Sequence, residues 1–185
     1  LYVECIYGYD QMIEYVNNQK RFIRNKSPIV GCYHVNHQGS GDMYQKASVM
    51  LHTLRTLIND DQLWFSIIRE ISDNFKYKTI NASDIMTFIM QRTEKDLTVF
   101  FSQYLNNSDL PEFQYQLIKE GRNTTIKYRW EAIDMFDMPL LVNSGNEDFW
   151  IYPNNSWKEM SLGKIDSREF SVKEELFLLD IKKVK

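Results

Sequence analysis

Cysteine and histidine are scarce in this chain, and their spacing is uninformative. Among 185 residues there are two cysteines and three histidines. Cys5 and Cys32 do not form a C-x-x-C pair, so the sequence predicts neither a disulfide framework nor a zinc knuckle. We expect two buried or inert thiols, because a free cysteine usually packs as a small apolar residue.

The chain also lacks an excess of positive charge and a long apolar run. It has 22 Lys and Arg against 25 Asp and Glu, which gives a formal net charge of −3. A nucleic-acid or anionic-membrane partner is therefore not expected, because both require a basic surface. No apolar stretch approaches the roughly 18 residues that a membrane-spanning helix needs. We predict no membrane span in this chain.

The sequence has enough apolar residues for one large or two small folded domains. Apolar residues make up 43% of the chain and aromatic residues 14%, which supports a well-packed core. The first residues, Leu-Tyr-Val-Glu, are apolar and compatible with a helix, without an initiator methionine or a capping residue before them. We expect the chain to be a segment of a longer protein.

The apolar pattern changes once along the chain. Up to residue 108 it has helical spacing, as at Ala47, Met50, Leu54 and Ile58, and Asn59 with Gln62 resembles the capping box of the next helix. After the polar stretch 106–111 the pattern alternates, which predicts a hairpin over residues 113–130 and further strands at 138–142, 149–152, 157–162, 169–173 and 177–184. The sequence thus predicts an α+β chain, with a helical bundle in residues 1–108 and a small antiparallel β-sandwich in residues 109–185.

Tyr44 stands where a glycine-containing loop, residues 31–41, runs into the central helix. Loops joined to rigid elements often carry function. A tyrosine at a helix start is more commonly a half-buried packing residue. The position alone leaves both interpretations open.

Three segments resemble the aminopeptidase N family of gluzincin zinc peptidases. Residues 44–55 resemble the family's Tyr-x-Lys-Gly-Ala segment and the Leu-x-x-Leu-Arg that follows, with Ala47 where the family has glycine. Residues 58–64 resemble its Gly-Asp-x-x-Phe step, and residues 95–105 its Asp-Leu-x-x-Phe-Phe-x-x-Trp-Leu segment. The resemblance implies the C-terminal half of a thermolysin-like catalytic domain followed by a β-sandwich. It further implies a parent enzyme that removes N-terminal residues from peptides.

The family's zinc ligands are missing from this chain. They lie in an H-E-x-x-H motif with a further glutamate on the next helix, whereas none of His34, His37 and His52 is followed by glutamate. The resemblance implies that zinc and its ligands belong to the parent, upstream of Leu1. We therefore predict that this chain alone holds no zinc and is inactive, and that its partners are a peptide substrate and the N-terminal remainder of the parent. Glu4 follows the position of the third ligand and is predicted to be a carboxylate on the helix surface.

Tyr44 is the one catalytic residue that the resemblance places in this chain. In the family, this tyrosine donates a hydrogen bond to the oxyanion that forms when water attacks the scissile carbonyl. A phenol carries its proton at neutral pH, and one preorganised donor can contribute about 10²–10³ in rate.

Other interpretations of individual motifs carry less support. His34 and His37 could offer two imidazoles to a metal but lack a third ligand, and His52 is more typical of a packed histidine than of a catalytic one. The Gly-Ser-Gly-Asp at residues 39–42 has neither the preceding strand nor the Gly-Lys-Ser/Thr of a phosphate loop. The competing hypothesis is a non-catalytic module that binds a peptide or a glycan through sandwich aromatics, namely Tyr128, Trp130, Trp150, Tyr152 and Trp157.

Overall fold

A computed structural model describes residues 1–31, 39–145, 147–166 and 168–184. The described part begins with helices and continues with strands, as the apolar periodicity predicts. Its helices are α1 Tyr2–Tyr7, α2 Tyr9–Lys20, α3 Asp42–Ile58, α4 Asp61–Phe75, α5 Ala82–Thr93 and α6 Thr98–Asn106. The strands are β1 Glu112–Glu120, β2 Asn123–Glu131, β3 Leu140–Ser144, β4 Glu147–Ile151, β5 Lys158–Gly163, β6 Phe170–Val172 and β7 Asp180–Lys183.

The strands form two sheets, with strand orders β5-β2-β1-β7 and β4-β3-β6. Among the described strands, neighbours are antiparallel except β1 and β7, which pair in parallel at the edge of the larger sheet. The sheets face each other where the rings of Tyr115 on β1 and Phe170 on β6 lie 5.3 Å apart. The α+β prediction of a helical part followed by a small sandwich is confirmed, with this single parallel pair as an addition.

The β1–β2 hairpin follows directly from alternation in the sequence. Thr124, Ile126, Tyr128 and Trp130 are all buried on one side of β2, whereas the residues between them are more exposed. Gly121 turns the chain with a φ of 62°, a conformation that glycine adopts without strain. One hydrophobic face is therefore available to pack against the second sheet and the helices.

Helix α3 is the central helix of the helical part. Val49 and Leu54 are completely buried on it, and the helix begins at Asp42, two residues before the predicted start. The predicted capping box of the next helix is wrong. Asn59 ends α3 with a left-handed φ of 52°, and the Asp60 side chain caps α4 by accepting the amide N–H of Leu63 at 2.9 Å.

The segment before β7 attaches the sheets to the helices. The amide of Leu178 donates to Thr53 Oγ1 on α3 at 2.8 Å, and its carbonyl accepts the hydroxyl of Tyr104 on α6 at 2.6 Å. Phe177 and Leu178 are buried. The predicted strand over residues 177–184 is consequently shorter, since its first residues pack into the core and pairing with β1 begins at Asp180.

Candidate functional site

Tyr44 lies in the first turn of α3 on the rim of an open cleft of about 830 Å³. The residue is 67% exposed, so it is not the half-buried packing residue that is common at helix starts. The cleft lies between residues 21–27, which follow α2, residues 39–41 and the start of α3. Solutes therefore have access to the tyrosine.

Asp42 fixes the start of α3 beside this cleft. Its buried carboxylate accepts the backbone amides of Arg24 at 2.9 Å and Asn25 at 2.7 Å. Gly39 adopts a φ of 83°, and a Cβ there would lie 2.8 Å from the carbonyl oxygen of Ile29. Only glycine fits this close approach. The contact keeps Gly39 next to Ile29, which precedes the loop.

Lys46 anchors the same helical turn from the buried side. The residue is fully buried, and its ammonium donates to the carbonyl oxygens of Asn107 at 3.0 Å and Ser108 at 2.7 Å. Burial lowers the pKa of Lys46, and the nearby Asp42 and Asp109 carboxylates partly oppose this effect. The lysine therefore ties α3 to the segment after α6. Asp42 and Lys46 together anchor the helical turn that carries Tyr44.

A second groove of about 550 Å³ runs along the same face of α3. Tyr44, Ser48, Leu51 and Arg55 recur at four- and three-residue spacings, which places them on one side of a helix. The last three line the groove together with residues of α1, α2 and α4. Its surface is mainly apolar, and exposed apolar side chains stand along it, namely Leu1, Tyr2, Tyr15 and Leu51.

Glu4 and Arg55 form an ion pair at one end of this groove. Arg55 Nη1 and Nη2 lie 2.7 and 2.8 Å from the two Glu4 carboxylate oxygens, and Arg55 Nε lies 2.8 Å from Asp61. These hydrogen bonds hold the pKa values of Glu4 and Asp61 below their ordinary values and raise that of Arg55. The prediction of a surface carboxylate at Glu4 is wrong, because only 18% of the side chain is exposed and both oxygens are bound by arginine.

His52 is packed between the groove and the sheets, as expected for a helical histidine. The residue is 6% exposed, and its Nε2 has no hydrogen-bond partner among the described residues. Burial lowers the pKa of His52 to about 4, with further lowering by the Arg55 and Lys20 cations. The imidazole is therefore neutral at physiological pH. His34 and His37 lie outside the described residues.

The described residues do not provide a metal centre. No group of three or more His, Cys, Asp or Glu side chains among them is arranged to hold a metal ion. The donor set that a catalytic zinc requires, three protein ligands with one open position, is thus not found in residues 1–31, 39–145, 147–166 and 168–184. Within the same ranges no helix is long and apolar enough to cross a membrane.

The sandwich aromatics do not form a common binding face. Tyr128 and Trp130 are buried in the core, and the Trp130 indole donates to the carbonyl oxygen of Met138 at 2.9 Å. The Trp150 ring lies 6.2 Å from that of Phe177. Only Tyr152 and Trp157 of the five predicted residues are exposed. The alternative of an aromatic platform therefore loses most of its members to core packing.

The sequence predicted a catalytic role for Tyr44 but gave no prediction for the charged residues near it. It assigned no role to Asp42 or Lys46, and it placed Arg55 only in a motif. The sequence did contain a sign of their importance. Lys46 and Arg55 are charged residues at positions of an apolar helix where helical spacing predicts burial. A buried charge needs partners, and those partners lie elsewhere in the chain.

The chain is similar to known proteins in its structure. No protein-family profile matches the chain, and no curated protein matches its sequence. Among solved structures, the chain is similar to the crystal structure of Legionella pneumophila aminopeptidase A in complex with aspartic acid, with a TM-score of 0.75 and 15% sequence identity. The match covers 98% of this chain and 22% of the Legionella chain. The chain therefore has the fold of one part of an aminopeptidase and spans about a fifth of that protein's length.

Proposed function

We propose that this chain forms part of the catalytic region of an aminopeptidase, and that Tyr44 donates a hydrogen bond to the oxyanion of the scissile peptide. The observation that carries this proposal is the position of Tyr44. It is an exposed phenol on the rim of an open cleft, in a helical turn that Asp42 and Lys46 hold in place. The aminopeptidase fold supports the same conclusion.

The proposed chemistry requires a donor that is already in position. When a nucleophile adds to a peptide carbonyl, negative charge develops on the carbonyl oxygen. A hydrogen-bond donor fixed before the reaction stabilises that charge without a cost of reorganisation. Tyr44 Oη can donate its proton in a hydrogen bond to this oxygen, and the fixed first turn of α3 limits the motion of the ring.

The metal chemistry of such an enzyme does not fit the described residues. Without a set of three ligands they cannot hold a catalytic zinc. We therefore assign the zinc, its ligands and the general base to the N-terminal remainder of a longer protein, and we expect this chain alone to be inactive.

The apolar groove along α3 is our proposed contact with that remainder. It continues the face of α3 that carries Tyr44, and the charged side chains among its described lining residues, Glu4 and Arg55, bind each other. The Legionella protein has more than three quarters of its length outside the matched region. In the protein to which this chain belongs, a corresponding segment would cover the groove, bury Leu1, Tyr2 and Leu51, and complete the active site next to Tyr44.

The test is the Tyr44→Phe variant of the full-length protein. We expect kcat for hydrolysis of an N-terminal residue to fall by about 10²–10³, with a much smaller change in KM, because the lost hydrogen bond is made in the transition state. Tyr77→Phe is the matched control, since Tyr77 is fully exposed on another part of the surface. Near-normal turnover by the Tyr44 variant would refute the proposed role.

Metal content tests the proposed division of the site. After exposure to excess zinc and desalting, the full-length protein should retain about one zinc per chain and the 185-residue chain none. Retention of one zinc by the 185-residue chain would contradict the assignment of the ligands to the N-terminal remainder.

A further inference from the structure

The cleft beside Tyr44 is basic, although the chain as a whole is acidic. Arg21, Arg24 and Lys26 line it, and Asp42 is the one carboxylate among the described lining residues. The chain carries a formal net charge of −3. Three cations therefore stand around one opening of a protein with an excess of negative charge.

The single carboxylate among the described lining residues does not neutralise these cations. Asp42 is buried, and both of its oxygens accept backbone amides, those of Arg24 and Asn25. Of the ion pairs formed in the described part of the chain, none includes Arg21, Arg24 or Lys26. All three side chains are exposed, so their charges face the cleft and solvent.

Two exposed aromatic rings accompany the cations. Phe22 is 52% exposed, and the Arg21 guanidinium lies 4.8 Å from the centre of its ring. Such a contact limits the motion of the arginine without consuming its hydrogen-bond donors. Tyr44 stands at the rim of the same cleft. The volume of about 830 Å³ is large enough for several residues of an extended peptide.

We propose that this cleft selects peptides that carry a carboxylate near the bond under attack, and that Arg21, Arg24 and Lys26 are the residues that recognise it. Guanidinium groups bind carboxylates through paired, charge-assisted hydrogen bonds. A basic cleft in an acidic protein also concentrates anionic peptides near its mouth. The inference rests on the proposed function, since it takes the cleft beside Tyr44 as the place where substrate lies.

The carboxylate can come from an acidic side chain or from the C-terminus of a short peptide. Four alanine-based tetrapeptides separate these sources. They are Ala-Ala-Ala-Ala with a free C-terminus, its C-terminal amide, and amidated peptides with Asp or Lys in the second position. Binding of each peptide to the 185-residue chain is measured by NMR through the backbone amides of Arg24, Gly41 and Tyr44.

We expect the amidated Asp peptide or the free-acid peptide to bind about tenfold more tightly than the neutral amide, and the Lys peptide to bind least. Preference for the Asp peptide identifies a side-chain carboxylate, and preference for the free acid identifies a C-terminal one. The advantage should decrease in 0.5 M NaCl, because salt screens exposed charges. Equal affinity for all four peptides would overturn the proposal.

Variants that remove positive charge test whether the cleft causes the preference for peptides with a carboxylate. The double variant Arg24→Gln/Lys26→Gln should lose the preference, whereas Lys78→Gln, an exposed cation on another part of the surface, should keep it. Unchanged preference in the double variant would overturn the assignment. Tyr44→Phe is expected to keep the binding preference. If Tyr44→Phe loses turnover but still prefers the peptides with a carboxylate, Tyr44 acts in catalysis and not in this recognition. If the full-length enzyme is active but shows no such preference, the proposed function stands and this inference is wrong.

Discussion

Arg55 on α3 binds both carboxylate oxygens of Glu4 on α1, at 2.7 and 2.8 Å. The two residues are 51 positions apart in the chain. The same guanidinium binds Asp61 at the start of α4, so one side chain joins three helices around the apolar groove. The Arg55 side chain is 9% exposed and that of Glu4 18%, and partial exclusion of water strengthens the electrostatic attraction within their hydrogen bonds.

Removal of Arg55 should destabilise the helical part. We expect Arg55→Gln to lower the free energy of unfolding by about 2–4 kcal/mol, because it leaves the partly buried Glu4 carboxylate without its counterion. Arg92→Gln is the matched control. It breaks an ion pair with Glu70 whose side chains are 39% and 38% exposed, and it should cost less than about 1 kcal/mol. Equal losses in urea denaturation would contradict the structural role of Arg55.

Two tyrosine variants should separate a surface role from a core role. Tyr44→Phe should change the free energy of unfolding by less than about 0.5 kcal/mol, because its side chain is exposed. Tyr104→Phe should lower it by about 1–2 kcal/mol, since the completely buried Tyr104 hydroxyl donates to the carbonyl oxygen of Leu178. Chemical denaturation of both variants gives the comparison. A large loss for Tyr44→Phe would show that the Tyr44 hydroxyl makes a hydrogen bond that stabilises the fold.

Lys46 should prove structural. We expect Lys46→Met to lower the free energy of unfolding by about 1–3 kcal/mol, because the carbonyl oxygens of Asn107 and Ser108 lose their donor. Lys95→Met, at an exposed position, serves as the control and should have little effect. Thermal denaturation can rank the two. If the Lys46 variant is as stable as the wild type, the ammonium does not hold α3 to the segment after α6.

Stability should decrease as His52 becomes protonated. The folded-state pKa of about 4 lies below the ordinary value of 6.5, mainly because of burial. The unfolded state therefore binds the proton more tightly, and stability that is present above pH 6.5 is lost as the pH falls towards 4. The loss between pH 7 and 4 should be about 2–3 kcal/mol.

The variant His52→Leu should show a flatter profile over this range. Glu4 also has a lowered pKa, so its contribution is lost as the pH falls below its ordinary value of 4.5, and wild type and variant share it. Urea denaturation at pH 7, 5.5 and 4 measures the difference, and the imidazole C2 proton reports the His52 pKa by NMR. A His52 pKa near 6.5 would contradict the burial of a neutral ring.

Much of the secondary structure could be predicted because it depends on neighbours in the sequence. Helical spacing locates α3, and alternation locates β2, whose buried residues Thr124, Ile126, Tyr128 and Trp130 stand two apart. The start of α5 depends on neighbours in the same way, since the Asn81 amide donates to the Asp84 carboxylate three residues later at 2.8 Å. The predicted cap at Asn59 failed because the neighbouring Asp60 offers the same chemistry, and the backbone geometry decides between them.

The candidate site likewise has features that depend on neighbouring residues and features that depend on distant ones. The sequence by itself determined that an apolar helix starts beside Tyr44 and that strands follow the helices, because hydrogen bonds and apolar faces within an element involve residues a few positions apart. Only the tertiary structure decided that Lys46 is buried against residues 107 and 108, that Glu4 meets Arg55, and that Arg21, Arg24 and Lys26 surround one cleft. The environment of a charged side chain depends on partners that are distant in the chain, and no local pattern encodes which of them it will meet.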